Sequence, residues 1–496
     1  MLLKKSIIAS HGGKMTNFCK KVETILPYLV AILICIIISI PVTSDSIIMD
    51  EGYSIILVRG SVIDILKGAA ADEHPPLFHL ILKIPEAIWG ENLLIYRLVT
   101  VLGTALNLLW LGATKIRKRW GNGVSLFYVM LFGFSYSTME RSTVVRMYSW
   151  GCLFVTAAVL YLYFYYEERR KKDFVITVVC TIASLYTHYY AAMTMVVAWG
   201  IAFFYILIRE RKRLKEILLA GFLIVLGFLP WLAAFTAQLT RVADDFWISE
   251  FDWAEWRNAP ALLIDCDFPG FGTVMYALFL FILVIAALRR NWTSLYLAAV
   301  MFGTMLLGAA ISVWVTPIWQ PRYPYNAWGL LMLAVALVVG QRVTRTDVIP
   351  QTCMFLLLCV MGYYSTGTIV HSQVVNNTAT QWRAYLDENI GAGDVVIADD
   401  PGEHRFIYMF YIPQTEVTMV RKLEHNGGSV NLEELIGSHP EGKIWYICDH
   451  VQVRYGVEKM TADFDEIGYE MKHQANFTIQ DKDLDIYLVE ERQNEK

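Results

Sequence analysis

Ten stretches of this 496-residue chain run for 17 residues or longer without a single Asp, Glu, Lys or Arg. They cover 24–44, 98–114, 120–139, 147–166, 174–208, 217–240, 268–288, 291–321, 323–341 and 348 to about 371. A helix needs about 20 apolar residues to cross the hydrocarbon of a bilayer. The 174–208 stretch has 35 residues, too long for one crossing, and Thr187-His188-Tyr189-Tyr190 at its middle predicts two helices with a turn there. The expected fold class is a polytopic α-helical membrane protein with about 11 transmembrane helices, the first of them retained rather than cleaved as a signal peptide. Only 18% of residues are charged, against about 25% in soluble domains, which excludes disorder, coiled coil and an ordinary cytosolic enzyme.

Basic residues orient such a bundle, because cytoplasmic loops carry the excess Lys and Arg. A cytoplasmic N-terminus bearing Lys4, Lys5, Lys14, Lys20 and Lys21, followed by eleven crossings, puts the clusters 115–119, 169–172, 209–215, 289–290 and Arg342 with Arg345 all inside. The outer side then receives the loop 45–92, the segment 140–146, the turn at His188, the loop 241–267, the segment 317–325 and the tail. The inner loops are short and basic, so the polar residues with chemical potential face outward.

Charge also divides the chain into domains. Residues 372–496 hold 11 Lys/Arg and 23 Asp/Glu, a net of −12, while residues 1–371 hold the other 31 and 23, a net of +8. The expected organisation is a transmembrane body over 1–371, with its outer loop 45–92, and an extracytoplasmic α/β domain over 372–496. In that tail 394–398, 416–420 and 443–448 read as short buried strands, 381–389 and 432–435 as helices, and 477–489 as an edge hairpin. No basic cluster lies on a folded polar domain, so nucleic acid is not an expected partner. None of the eight cysteines forms a CxxC pair, which leaves zinc ribbons and redox motifs without support.

Several outward-facing residues bear on chemistry. Asp50-Glu51 stands just past the first span and reads either as a catalytic carboxylate pair or as the first-turn acids of an amphipathic helix over 53–67. Asp72-Glu73-His74-Pro75-Pro76 holds two acids and an imidazole on an elbow stiffened by proline, ahead of an interfacial helix over 77–84. Carboxylate with imidazole makes half of a divalent-metal site, with Glu73, His74 and His188 as candidate ligands; an ordinary polar loop and a core histidine are the plainer readings. Arg97, Arg146 and Arg322 lie at the outer ends of spans, against the charge bias of that face. Arginine there is costly unless paired or functional, snorkelling to headgroups being the alternative. A guanidinium at headgroup depth holds phosphate oxygens bidentately. The constellation suits a lipid-phosphate substrate.

The order of these motifs is informative. Asp50-Glu51 follows the first span and His74-Pro75-Pro76-Leu77 precedes the second. Arg146-Met147-Tyr148 follows the third, Thr187-His188-Tyr189-Tyr190 marks the mid-chain turn, and Pro321-Arg322-Tyr323 comes late in the body. Over roughly residues 20–400, with Trp382 and Gly393-Asp394 included, the chain resembles bacterial membrane glycosyltransferases of the GT-C superfamily. Within it, the protein O-mannosyltransferase and lipid A aminoarabinose transferase branch is a close comparison. The resemblance implies inverting transfer of a hexosyl or pentosyl unit from a polyprenyl-phosphate sugar donor to a hydroxyl of a lipid, glycan or protein acceptor outside the cell membrane. It implies Asp50, beside Glu51, as the catalytic base. It implies Arg146 and Arg322, with Arg97 and Tyr148 near them, on the donor phosphate, and Glu73 at a metal-contacting position.

The chain departs from the family in two places. The aminoarabinose branch has lysine where this chain has His74. Relatives often carry Gln-Glu-Ala-Arg where this chain has Thr143-Val144-Val145-Arg146, so the glutamate's role passes to Glu140 or to nothing. The competing reading is a transporter or flippase of lipid-linked sugars. It predicts internal repeats and ionisable groups at the bilayer midplane, neither of which the sequence shows. A structural or sensory membrane protein would leave the outer arginines without a role.

Overall fold

The computed structural model describes residues 2–244, 248–262, 270–341, 348–371, 378–399, 405–420, 432–437, 442–451, 455–479 and 482–492; side chains 2–20, 243, 244, 262, 348, 350, 433 and 434 fall outside the description. Arg342, Arg345, Cys266 and the side chains of Lys4, Lys5, Lys14 and Lys20 therefore lie outside the described residues.

The apolar stretches are occupied by helices. The first is Leu2–Ser39, followed by Leu93–Trp120, Tyr148–Glu168, Tyr189–Arg209, Arg211–Val242, Phe271–Leu288, Trp292–Trp314 and Val348–Val370, with the shorter Asn122–Gly133, Lys171–Leu185 and Tyr323–Val339 between them. Among the described residues, eight helices are long and apolar enough to cross a membrane by themselves. The chain is thus a multi-pass α-helical membrane protein with a small C-terminal sheet domain. The outward faces support this: on the helix Leu214–Phe228, Leu218, Phe222 and Val225 are 55–67% exposed, a surface that only lipid tolerates over such a length.

Two local details come from particular residues. The 35-residue stretch does break at its middle: one helix ends at Leu185 and the next begins at Tyr189, with the His188 side chain capping the second by accepting the Tyr190 N–H at 3.0 Å. The helix expected over 53–67 is instead two, Met49–Arg59 and Val62–Ala71. Gly60 adopts an extended conformation (ψ 171°) and stops the first, because glycine at a helix end gives up little by leaving the helical region. The interfacial helix expected over 77–84 continues to Trp89.

The described residues form two compact units. One comprises Met1–Ile40, Val62–Pro85 and Ile95–Gly367; the other comprises Pro41–Ser61, Glu86–Leu94 and Thr368–Lys496. Within the helical unit, close approach rests on small residues. A Cβ on Gly123 would stand 2.5 Å from the Gly340 carbonyl oxygen, so the ends of Asn122–Gly133 and Trp328–Val339 meet backbone to backbone.

The second unit is built on a five-stranded sheet: β1 Val395–Asp399, β2 Val417–Met419, β3 Ile444–Asp449, β4 Tyr469–Ile479 and β5 Lys482–Glu491, in the order β2-β1-β3-β5-β4. β1 lies parallel to β2 and β3, whereas β5 runs antiparallel to β3 and β4. Every residue of β1 and β3 is buried, as expected of central strands covered on both faces. The hairpin is the predicted one, with an earlier start at Tyr469. Pro41–Ser61 belongs to this unit through the helix Arg405–Tyr411. Tyr53 meets Phe406 edge to face at 5.2 Å, and the Tyr411 hydroxyl donates to the Asp45 carbonyl at 2.6 Å. Arg59 clamps Glu91 with two hydrogen bonds of 2.5 and 3.0 Å.

Candidate functional site

The elbow 72–76 of the helical unit is fixed from both ends. Proline at 75 and 76 bars helix across it, and the next helix starts with the Leu77 N–H donating to the Tyr186 carbonyl at 2.9 Å. Upstream, the buried Gln238 donates through Nε2 to the carbonyls of Ala69 (2.8 Å) and Asp72 (2.7 Å), and Arg241 donates to those of Ala70 and Asp72. These bonds satisfy the last carbonyls of Val62–Ala71, which otherwise lack partners. Tyr189 in turn donates its hydroxyl to Gln238.

On this elbow Asp72 Oδ2 pairs with His74 Nδ1 at 3.0 Å, and Arg146 Nη2 approaches His74 Nε2 at 3.5 Å. Burial works to raise the Asp72 carboxyl, but the charge and hydrogen bond of His74, with the charge of Arg146, hold it below the usual carboxylate range. Glu73 goes the other way: burial, then the neighbouring Asp72 charge, raises it. Asp72, Glu73 and His74 offer ligand atoms all within 4.8 Å of one another, two carboxylates and one imidazole. Those are the donor types of a divalent-cation site.

His188 stands next to this group and has a different character. Its ring centroid lies 5.6 Å from His74, 5.7 Å from Tyr148 and 4.9 Å from Tyr323. Because Nδ1 accepts the Tyr190 N–H, the ring proton is on Nε2. Burial, then the charges of His74, Arg146 and Arg322, push its pKa well below the ordinary value, so the ring is neutral. Nε2 is buried and has no hydrogen-bond partner among the described residues. A neutral imidazole with its one lone pair already committed is a hydrogen-bond donor. The metal-type group that the structure assembles therefore has Asp72 where His188 was expected.

The structure brings together Glu73, His74, Arg146, Tyr148 and His188, and Arg322 lies close enough for its charge to act on His188 while its guanidinium covers the Tyr323 ring at 5.8 Å. Arg146 is 4% exposed, at the bend before Tyr148–Glu168. Tyr148, the first residue of that helix, is buried, with Arg141 over its ring at 5.3 Å. Arg97 is buried within Leu93–Leu106, near its start. Asp50 and Glu51 belong to the other unit, in the first turn of Met49–Arg59. Glu51 is buried and accepts the Ile48 N–H at 3.2 Å, so its carboxylate caps its own helix; Asp50 is half-buried.

Sequence reasoning passed over Asp72 as a partner, Gln238, Arg241 and His79. His79 is fully buried five residues after His74, and burial followed by the Arg146 charge pushes it down to about 3. Gln238 carried a signal, being an amide inside the charge-free stretch 217–240.

Residues 73–233 match the profile of the dolichyl-phosphate-mannose-protein mannosyltransferase family, just under a third of the chain. Two solved structures of ArnT from Cupriavidus metallidurans match across nearly the whole chain. The form bound to undecaprenyl phosphate matches with TM-score 0.60 at 11% identity, covering 93% of this chain and 97% of that one. The apo form gives 0.62 at 9%, covering 92% and 97%. The arabinofuranosyltransferase AftD from Mycobacteria gives 0.52 at 10%, covering 95% of this chain and 40% of that one. No curated protein matches by sequence. The fold is that of GT-C membrane glycosyltransferases.

Proposed function

We propose that this GT-C-fold chain is a polyprenyl-phosphate-dependent glycosyltransferase, inverting at the sugar and working at the outer face of the membrane. The observation that carries the reading is the buried His188 Nε2–H, which has no partner among the described residues, with the buried Arg146 and the half-buried Arg322 near enough for their charges to act on it. Burying such a donor is costly unless an acceptor completes it, and cations on either side favour an anionic one. A lipid-linked phosphate supplies that anion at headgroup depth. The outer location follows from the distribution of Lys and Arg, which places the N-terminus in the cytoplasm and the C-terminal unit outside.

In the reaction the acceptor oxygen forms a bond to the anomeric carbon while the bond from that carbon to the phosphate oxygen breaks, and the electron pair stays on the departing polyprenyl phosphate. Arg146, Arg322 and the His188 Nε2–H hold that growing negative charge where water is scarce. The acceptor proton passes to a carboxylate, assigned to Asp50 from its match to the family motif. Asp72 pairs with His74, and His74 in turn stands against Arg146 and helps to position it. A divalent cation, where one binds, would be held by Glu73 and His74 with Asp72 and would supply positive charge to offset that of the leaving group. Metal content of purified wild type against Glu73→Gln tests that part separately.

The test of the whole reading is reconstitution. Purified protein given a radiolabelled polyprenyl-phosphate sugar and cell-envelope acceptors is expected to form a covalent glycoside and release polyprenyl phosphate. Movement of intact donor across the bilayer without a new glycoside would replace this reading with transport.

A further inference from the structure

A polar cavity lies at the opposite end of the helices that carry the candidate site. It has a volume of about 400 Å³ and is walled by the end of Leu93–Trp120, the end of Tyr148–Glu168 and the start of Lys171–Leu185. That volume falls within the range of small-ligand sites. The helix Tyr148–Glu168 has 21 residues, roughly 30 Å at about 1.5 Å per residue, so this cavity is one hydrocarbon thickness from Arg146 and Tyr148.

Its lining carries five cations, Lys115, Lys118, Arg119, Arg170 and Lys172, against Glu168 and Asp173, a net of 5 − 2 = +3. Arg119 is taken up by Tyr163 and Glu167, and Arg170 by Glu168 and Asp173. Lys115 lies over the Tyr161 ring at 5.7 Å. Lys118 and Lys172 have no ion-pair partner among the described residues, so their charge is available to an anion. Asp173 adds an independent observation. It is fully buried, Arg170 occupies its Oδ2 at 2.6 Å, and its Oδ1 has no hydrogen-bond partner among the described residues. A buried acceptor in a net positive cavity calls for a ligand with both an anionic group and a hydrogen-bond donor. Farther along the same helix, Val175 and Val179 are 55% and 57% exposed, an apolar face of the kind that acyl chains cover.

We propose that this cavity binds the headgroup of an anionic phospholipid bearing a free hydroxyl, as in phosphatidylglycerol, in the leaflet opposite the candidate transfer site. The phosphodiester meets Lys118 and Lys172, and the headgroup hydroxyl donates to Asp173 Oδ1. This site is independent of the proposed transfer reaction.

The test uses the full chain, purified, stripped of lipid and exposed to equal amounts of phosphatidylglycerol, phosphatidic acid and phosphatidylcholine, with retained lipid read by native mass spectrometry. Wild type is expected to keep phosphatidylglycerol over both others. Lys118→Ala with Lys172→Ala should cut that retention by about tenfold or more, since each lysine near a lipid phosphate contributes on the order of 1 kcal/mol. Asp173→Asn should keep anionic lipid but lose the preference for phosphatidylglycerol over phosphatidic acid. Arg322→Ala should retain phosphatidylglycerol like wild type, which separates this site from the transfer site. Equal retention of phosphatidylcholine, or undiminished binding by the double lysine variant, overturns the proposal. So does displacement of phosphatidylglycerol by glycerol phosphate, which would make the occupant a soluble phosphate. Displacement by polyprenyl phosphate would overturn it too, by placing the lipid at the transfer site.

Discussion

His188 does two separable jobs in this structure, and one substitution divides them. Its Nδ1 caps the helix Tyr189–Arg209 by accepting the Tyr190 N–H, while Nε2–H, near the arginines, has no partner among the described residues. Asparagine caps helices as well as any residue, so His188→Asn keeps the cap and deletes only the far donor. A hydrogen bond to a charged group is worth about 1.5–3 kcal/mol, so transfer should slow by roughly 10- to 150-fold. His188→Ala loses the cap too and should show the same slowing plus about 1 kcal/mol of lost stability. The assay is single-turnover sugar transfer alongside thermal unfolding of both variants in detergent. Burial and the neighbouring cations keep His188 neutral, so the wild-type rate should show no inflection from this ring between about pH 5.5 and 8. Full activity in His188→Asn would refute the donor role and leave His188 as a cap alone.

Three other outcomes follow from particular contacts. Asp50→Asn is expected to abolish transfer while donor affinity, measured by lipid retention, stays unchanged; retained turnover would remove the base assignment. Gln238→Ala leaves the buried Ala69 carbonyl without its amide donor and the partly buried Asp72 carbonyl with Arg241 alone, and should lower stability by about 1–2 kcal/mol and weaken donor binding through the loosened elbow. Wild-type donor affinity in that variant would show that the elbow does not depend on this brace. Asp485 tests the sheet: burial opposes its ionisation, but hydrogen bonds from His473, His450 and Asn476 push it down to about 2. A folded-state pKa below the unfolded value of about 3.9 means that its stabilisation, at most about 2 kcal/mol, is present above pH 4 and lost as pH falls toward 2. Asp485→Asn should therefore reduce hydrogen-exchange protection of β3–β5 at neutral pH, and unchanged protection would contradict the sign.

Much of the helical body is legible in sequence because lipid imposes a simple rule. An uncharged run of spanning length leaves few alternatives, and the 35-residue stretch divides where its length and His188 said it would. The polar residues of the candidate site are legible for the same reason: Arg146, His188 and Arg322 stand out where charge and imidazole are costly. What sequence does not carry is pairing. Nothing in the order of residues indicated that the backbone N–H of Tyr190 would claim His188 Nδ1, which makes it a donor and leaves the metal-type group to Asp72, Glu73 and His74. Gln238 was passed over because an amide adds no charge to a hydropathy count, and its bonds reach 166 and 169 residues back along the chain. In the second unit, Arg405–Tyr411 has aromatic residues on every side and no helical period to detect. Its helix follows from burial against Met49–Arg59, which includes a Gly52 whose absent Cβ leaves room for the Phe406 backbone at 2.9 Å.

The most direct measurement is the affinity of purified protein for polyprenyl phosphate without any sugar, in wild type, Arg146→Ala and Arg322→Ala. Loss of a guanidinium from a buried phosphate contact should weaken binding by at least about tenfold in each variant, while polyprenyl alcohol, which lacks the phosphate, binds all three alike. Equal affinity of wild type and both variants for polyprenyl phosphate would contradict the assignment of this cluster to the donor phosphate.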